Sequence, residues 1–298
     1  MEEPEPNSEI TLHHVLFATD FSPASDAVFA YTATIADRYH ARLYVAHVIN
    51  LESFDLTPPE PTPAMIKQAH EQAHQKIVRL LGARSLQADR YQAIVAEGVV
   101  PEILIDLAQQ NHIDLLVLGT HGRRAFKKLL LGSVAEEVFR MAPCPVLMVG
   151  PRTAAAPANI QLCHILYLLE FEPDSGEAAK YAVSLAQRYA ANLTVMNVRE
   201  DMPPSSTKQE KQEQIPEPFT GWIEDHVPKG SNLRNRVHFE RGFGPATEAI
   251  LNFVSKAAVD VIVMSARRID PVIAAHLPKP DTAYELVSRA PCPVLTIR

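Results

Sequence analysis

The 298-residue sequence is short of cysteine, with three, and of tryptophan, with one. Cys144, Cys163 and Cys292 fit no zinc-ligand or CxxC spacing, and so odd and sparse a set argues against a disulfide framework and for a reducing compartment. Basic charge is also short: 28 Lys and Arg stand against 35 Asp and Glu, a net charge of −7. Without a broad basic field, nucleic acid is not an expected partner. No apolar run approaches the roughly 20 residues a membrane helix needs, so no membrane span is expected. The opening MEEPEPNSEI is acidic and polar, unlike a signal peptide, and the expectation is a cytoplasmic protein. Common catalytic signatures are missing too. There is no P-loop GxxxxGK[ST], no catalytic carboxylate pair and no Ser/His/Asp set that spacing identifies.

What the sequence does contain is a second copy of itself. The hexapeptide APCPVL at 142–147 recurs at 290–295. HVLF at 14–17 parallels HILY at 164–167, and Phe21 and Pro23 parallel Phe171 and Pro173. LYVAHV at 43–48 parallels LTVMNV at 193–198, and DLLVL at 114–118 parallels DVIVM at 260–264. Glu97-Gly98 with Pro101 parallels Arg241-Gly242 with Pro245. The order is kept throughout, which marks a tandem duplication. At roughly 150 residues per domain the length agrees. The expected organisation is a first domain over 1–150, a Pro/Ala linker over 151–159 and a second copy over 160–298. The second copy also carries a polar insert over about 199–232, part of it expected to be helical.

Each copy reads as five short strands alternating with four helices. In the first, strands are expected at 15–18, 42–48, 91–96, 115–118 and 145–149. Helices are expected at 23–39, 63–81, 101–110 and about 131–141. Ser22 followed by Pro23 supplies an N-cap and a proline at the first helical position. Continuous apolar strands alternating with helices mean a parallel sheet covered on both faces. The fold class is therefore α/β: two doubly wound, Rossmann-like domains in tandem, each with a five-stranded, mainly parallel sheet.

In such folds a ligand sits beyond the carboxyl ends of the strands, where strand order reverses. Three segments of copy one are expected to converge there: Ala18-Thr19-Asp20, Val48, and the loop GTHGRRAFKKLLLGSV after strand four. Gly119 and Gly122 are expected to supply positive φ and to let a ligand approach the backbone. Gly132-Ser133 begins a helix whose free N–H groups and dipole favour an anion, and the Ser133 hydroxyl adds a donor. Arg123, Arg124, Lys127 and Lys128 place four cations in this loop of an acidic protein, which suits a polyphosphate. Asp20 also fits a turn or capping position ahead of Ser22.

With its flanking strand and APCPV ending, this stretch resembles the C-terminal half of a universal stress protein domain. That family's nucleotide signature is Gly, two residues, Gly, nine residues, Gly-Ser/Thr. Here two residues separate Gly119 from Gly122, nine separate Gly122 from Gly132, and Ser133 follows. The opening VLFATDFSPASDAVFAYTATIA is similar to that family's first strand and helix. The resemblance covers nearly all of copy one and the skeleton of copy two. It implies that Asp20 reads the adenine edge, that Ala18, Thr19 and Val48 line the base pocket, and that Leu118 and Gly119 flank the ribose and phosphate approach. It places His121, Gly122 and Arg123 in the phosphate loop, and Gly132, Ser133 and Val134 at the phosphate-binding helix start. His121 has no base or acid partner in sequence and is read as a hydrogen-bonding or packing residue.

The implied function is that of an ATP-binding stress-response or signalling module acting on an unidentified signalling partner. Mg2+ would bridge the phosphates, and hydrolysis would be weak at most. The alternatives are a slow ATPase, or a non-catalytic dimerisation scaffold that binds another nucleotide such as AMP or cAMP. In copy two, Ser265 and Arg268 replace Gly119 and Gly122, Pro280 and Asp281 replace Gly132 and Ser133, and Glu170 replaces Asp20. Pro280 lacks a backbone donor and Asp281 repels phosphate, so no ATP-type site is expected there. The resemblance also implies that the last strands of the two copies pair as an intramolecular pseudo-dimer, covering exposed sheet edges, with a homodimer as a further step.

Overall fold

The computed structural model describes residues 9–50, 62–82, 88–120, 131–153, 160–169, 175–199, 218–266 and 282–298. Described residues 11–160 form one compact unit; described residues 9–10, 161–266 and 282–298 form another.

In the first unit the elements run β1 (His14–Ala18), α1 (Pro23–Tyr39), β2 (Arg42–Ile49), α2 (Pro63–Gly82), β3 (Tyr91–Glu97), α3 (Val100–Gln110), β4 (Leu115–Gly119), α4 (Ser133–Met141) and β5 (Val146–Val149). The strands lie in the order β3-β2-β1-β4-β5, every pair parallel. Val15, Leu16 and Phe17 of β1 and Leu116 and Val117 of β4 are fully buried, as central strands covered on both faces must be. α1 starts as expected: the Ser22 side chain accepts from the Ser25 N–H, and Pro23 occupies the first turn. It ends where His40 turns left-handed. α4 begins two residues later than expected because Gly132 is extended, with φ −65° and ψ 148°.

In the second unit the elements are β6 (His164–Leu168), α5 (Ser175–Arg188), β7 (Asn192–Arg199), α6 (Pro218–His226), β8 (Val237–Phe243), α7 (Ala246–Ala257), β9 (Val261–Ser265), α8 (Thr282–Arg289) and β10 (Val294–Ile297). Its strands repeat the pattern, in the order β8-β7-β6-β9-β10 and all parallel. The described end of the polar insert supplies α6, whose buried Phe219 and Trp222 rings pack on Phe239 and Tyr167. Ile10 N–H donates to Ser184 Oγ at 3.0 Å, within the same unit.

The duplication extends to single hydrogen bonds. Asp114 accepts from the His13 and His14 N–H groups at 2.7 and 2.8 Å. Asp260 accepts from those of Cys163 and His164 at the same two distances. One of the sequence parallels is corrected. Leu43 pairs with Tyr91 and Leu193 with Val237, so Gly98 matches Gly244 rather than Gly242. The physical reason is the turn after the strand. Gly98 and Gly244 have φ of 136° and 87°, and their N–H groups donate to Ile49 O and Arg199 O, both at 3.1 Å. Pro101 lies inside α3, whereas Pro245 is the N-cap of α7, so the shared Gly-x-x-Pro spacing is coincidental. No helix among the described residues is long and apolar enough to cross a membrane.

Candidate functional site

Strand order in the first unit reverses between β1 and β4, and the carboxyl ends there open into a cavity of about 670 Å³. That volume falls within the roughly 300–1,000 Å³ usual for small-molecule sites. Nine residues expected from sequence line it together: Ala18, Thr19 and Asp20, Val48, Leu118 and Gly119, and Gly132, Ser133 and Val134. His121, Gly122 and Arg123 lie outside the described residues, as do Arg124, Lys127 and Lys128.

The turn from β1 into α1 is locked by its own short polar side chains. Thr19 N–H extends the β ladder to Ala46 O at 2.9 Å. Thr19 Oγ1 accepts from Phe21 N–H at 3.0 Å and lies 2.8 Å from Ser25 Oγ. Asp20 Oδ1 accepts from Ser22 N–H at 2.9 Å. The carboxylate thus holds the turn while its residue also lines the cavity. Phe21 has φ 58°, a rare conformation for a bulky residue.

Another part of the cavity wall is built by close approach of two backbones. Thr120 N–H donates to Val149 O at 3.0 Å, and Gly132 N–H donates to Thr120 O at 2.9 Å. A Cβ at position 132 would sit 3.1 Å from that carbonyl oxygen, a tight contact that a larger residue could make only if the backbone gave by a few tenths of an ångström. The expectation of positive φ at Gly119 is corrected: it is the last residue of β4, extended and in register with Val149. The strand continues one residue further than expected because that pairing does. Glu136 N–H, bonded to Gly132 O at 2.8 Å, is the first donor inside α4. The N–H groups of Ser133, Val134 and Ala135 precede it, no side chain caps the helix, and all three residues line the cavity. This wall can receive an anion.

Sequence reasoning missed His47, Phe21 and the α2 wall of Ala69, Gln72, Ala73 and Lys76, all of which line the cavity. His47 Nδ1 donates to Thr19 O at 2.7 Å. In the second unit Asn197 Nδ2 donates to Leu169 O at 2.9 Å. The aligned segments LYVAHV and LTVMNV already held this signal, a polar residue at the same place in an otherwise apolar strand. Among the described residues of the second unit, Leu169 takes the place of Thr19 and so offers no hydroxyl. Ser265 Oγ is buried and has no hydrogen-bond partner among the described residues where the first unit has Gly119. Glu170, Arg268, Pro280 and Asp281 lie outside the described residues. No group of three or more His, Cys, Asp or Glu able to hold a metal gathers among the described residues.

The model of the universal stress protein family matches residues 11–150 and again residues 163–298. A universal stress protein of Mycobacterium tuberculosis strain H37Rv is 28% identical over 294 residues, covering 89% of this chain and 97% of its own length. Universal stress protein A homolog 1 of Coxiella burnetii is 34% identical over 139 residues, 46% of this chain and 94% of its own. The crystal structure of a universal stress protein from Archaeoglobus fulgidus is similar with a TM-score of 0.68 at 22% identity, covering 98% of both chains.

Proposed function

This chain belongs to the universal stress protein family, and from that premise we propose that its first copy binds one adenine nucleotide, ATP, in the cavity at the β1–β4 reversal. The observation that carries the reading is the convergence of nine residues, chosen from three separate sequence segments, on that one cavity. Its two walls differ in chemistry as a nucleotide requires. Asp20 offers an acceptor to a base amine at one side, and the uncapped start of α4 offers N–H groups to phosphate at the other. Mg2+ enters this reading as a bridge between phosphates, carried in by the nucleotide. The occupied and empty cavities would differ in surface and in the order of α4, and that difference biases binding to a partner. The second copy serves as a companion domain without an ATP-type site.

Titration calorimetry tests the proposal. One ATP per chain is the expected stoichiometry, and two equivalent sites, or none, would overturn it. Ser133→Asp places a negative charge at the first residue of α4, so it should abolish ATP binding and leave the circular dichroism spectrum intact. Unchanged affinity in that variant would remove α4 from the site. Mass spectrometry of the nucleotide that co-purifies reads the base and phosphate number directly.

A further inference from the structure

Lys76 lies outside every segment of the phosphate-loop pattern, yet it lines the cavity from α2. Its Nζ stands 5.2 Å from the centre of the Phe21 ring. That ring is 4.4 Å from the ring of His47, which is tied to the Thr19 carbonyl. Side chains from the β1–α1 turn, β2 and α2 therefore meet at one end of the cavity. Thr19 and Asp20, the neighbours of Phe21 in the turn, line that same cavity. Phe21 keeps its place there in a left-handed conformation that two hydrogen bonds enforce, through Thr19 Oγ1 and Asp20 Oδ1. Strain of this kind persists where surrounding structure over-determines it, and it concentrates at ligand clamps.

Among the described cavity-lining residues, Asp20 and Lys76 carry formal charges of opposite sign. A carboxylate that accepts and an ammonium that donates, lining one cavity, match one base edge better than another. Adenine presents an exocyclic amine that donates, next to a ring nitrogen that accepts. Guanine puts a carbonyl oxygen where the amine stands, facing the carboxylate with a second acceptor.

We propose that Lys76 is a base-reading residue: its ammonium, held over the cavity by the Phe21 ring, donates to a ring nitrogen of adenine while Asp20 accepts from the amine. This role rests on the reading that the cavity binds an adenine nucleotide. Phe21 acts as a positioning residue, and His47 braces it.

Lys76→Met keeps most of the stem and removes the charge. Because Lys76 is exposed, the melting temperature of the ligand-free variant should match the parent. ATP and adenosine are then titrated into both proteins, with GTP as the competing base. Both adenine ligands should weaken by the same factor, roughly tenfold for a lost hydrogen bond to a charged donor. The preference for ATP over GTP should shrink by that factor. If ATP weakens while adenosine does not, Lys76 touches phosphate and the base-reading role is wrong. If neither changes, Lys76 is a surface lysine and the role is equally wrong. A parent protein that binds neither ATP nor adenosine removes the nucleotide reading itself, an outcome distinct from the other two because no variant is needed to see it.

Discussion

Asp114 and Asp260 each accept two backbone N–H bonds at the start of β1 and β6, and neither is a lining residue of the cavity. Replacing either with Ala orphans two donors and should cost about 2–3 kcal/mol, with ATP affinity unchanged. Urea denaturation of the two variants measures this, and equal losses would confirm that the copies use the carboxylate alike. Gly132 behaves in the opposite way. A methyl group there meets a backbone carbonyl at 3.1 Å, and that carbonyl is itself bonded to Gly132 N–H. Gly132→Ala should therefore weaken ATP binding more than it weakens the fold. Calorimetry beside thermal melting separates the two, and the reverse ranking would mean that α4 shifts without harm to the site.

Helix α2 is held less broadly than α1. It buries Ala73, Ile77 and Leu81, whereas α1 buries nine residues from Ser25 to Tyr39. Ile77 is fully buried and sits one position past Lys76. Ile77→Ala should cost roughly 2–4 kcal/mol and speed hydrogen exchange in α2 before the sheet is affected. Exchange that rises uniformly across the unit would instead place α2 inside the global folding unit. The strands and helices were legible because apolar runs, Ser22-Pro23 and the glycine spacing are local signals. The Gly132-Ser133 wall was legible for the same reason. The α2 wall was not: the sequence marks only a helix over 63–81, and no local pattern tells that Gln72 and Lys76 line the same cavity as the β1–α1 turn. The Gly242 misalignment has a related cause. A two-residue coincidence of glycine and proline outweighed the strand register, which no local pattern encodes.

Across the whole chain the cysteines divide by exposure. Cys144 and Cys292 are buried, and burial pushes both thiols up to about 12, while Cys163 is exposed. A thiol reagent at neutral pH should label Cys163 in the folded protein and reach the other two only after unfolding. Alkali adds a second consequence. In the unfolded chain these two thiols lose their protons near their ordinary value of 9.0, while in the fold they keep them to about 12. The unfolded state binds fewer protons on these two thiols between those values, so their contribution to stability is level below about pH 9 and falls above it. Denaturation curves across that range should show the decline, and a Cys144→Ala, Cys292→Ala double variant should flatten it. Finally, the paired carboxylates Asp114 and Asp260 lie at the amino ends of the strands, while Gly119 and its counterpart Ser265 lie at the carboxyl ends. Each strand thus answers to architecture at its start and to chemistry at its finish. In a duplicated copy, residues at the carboxyl ends can change while the carboxylate at the amino end still holds the strands in place.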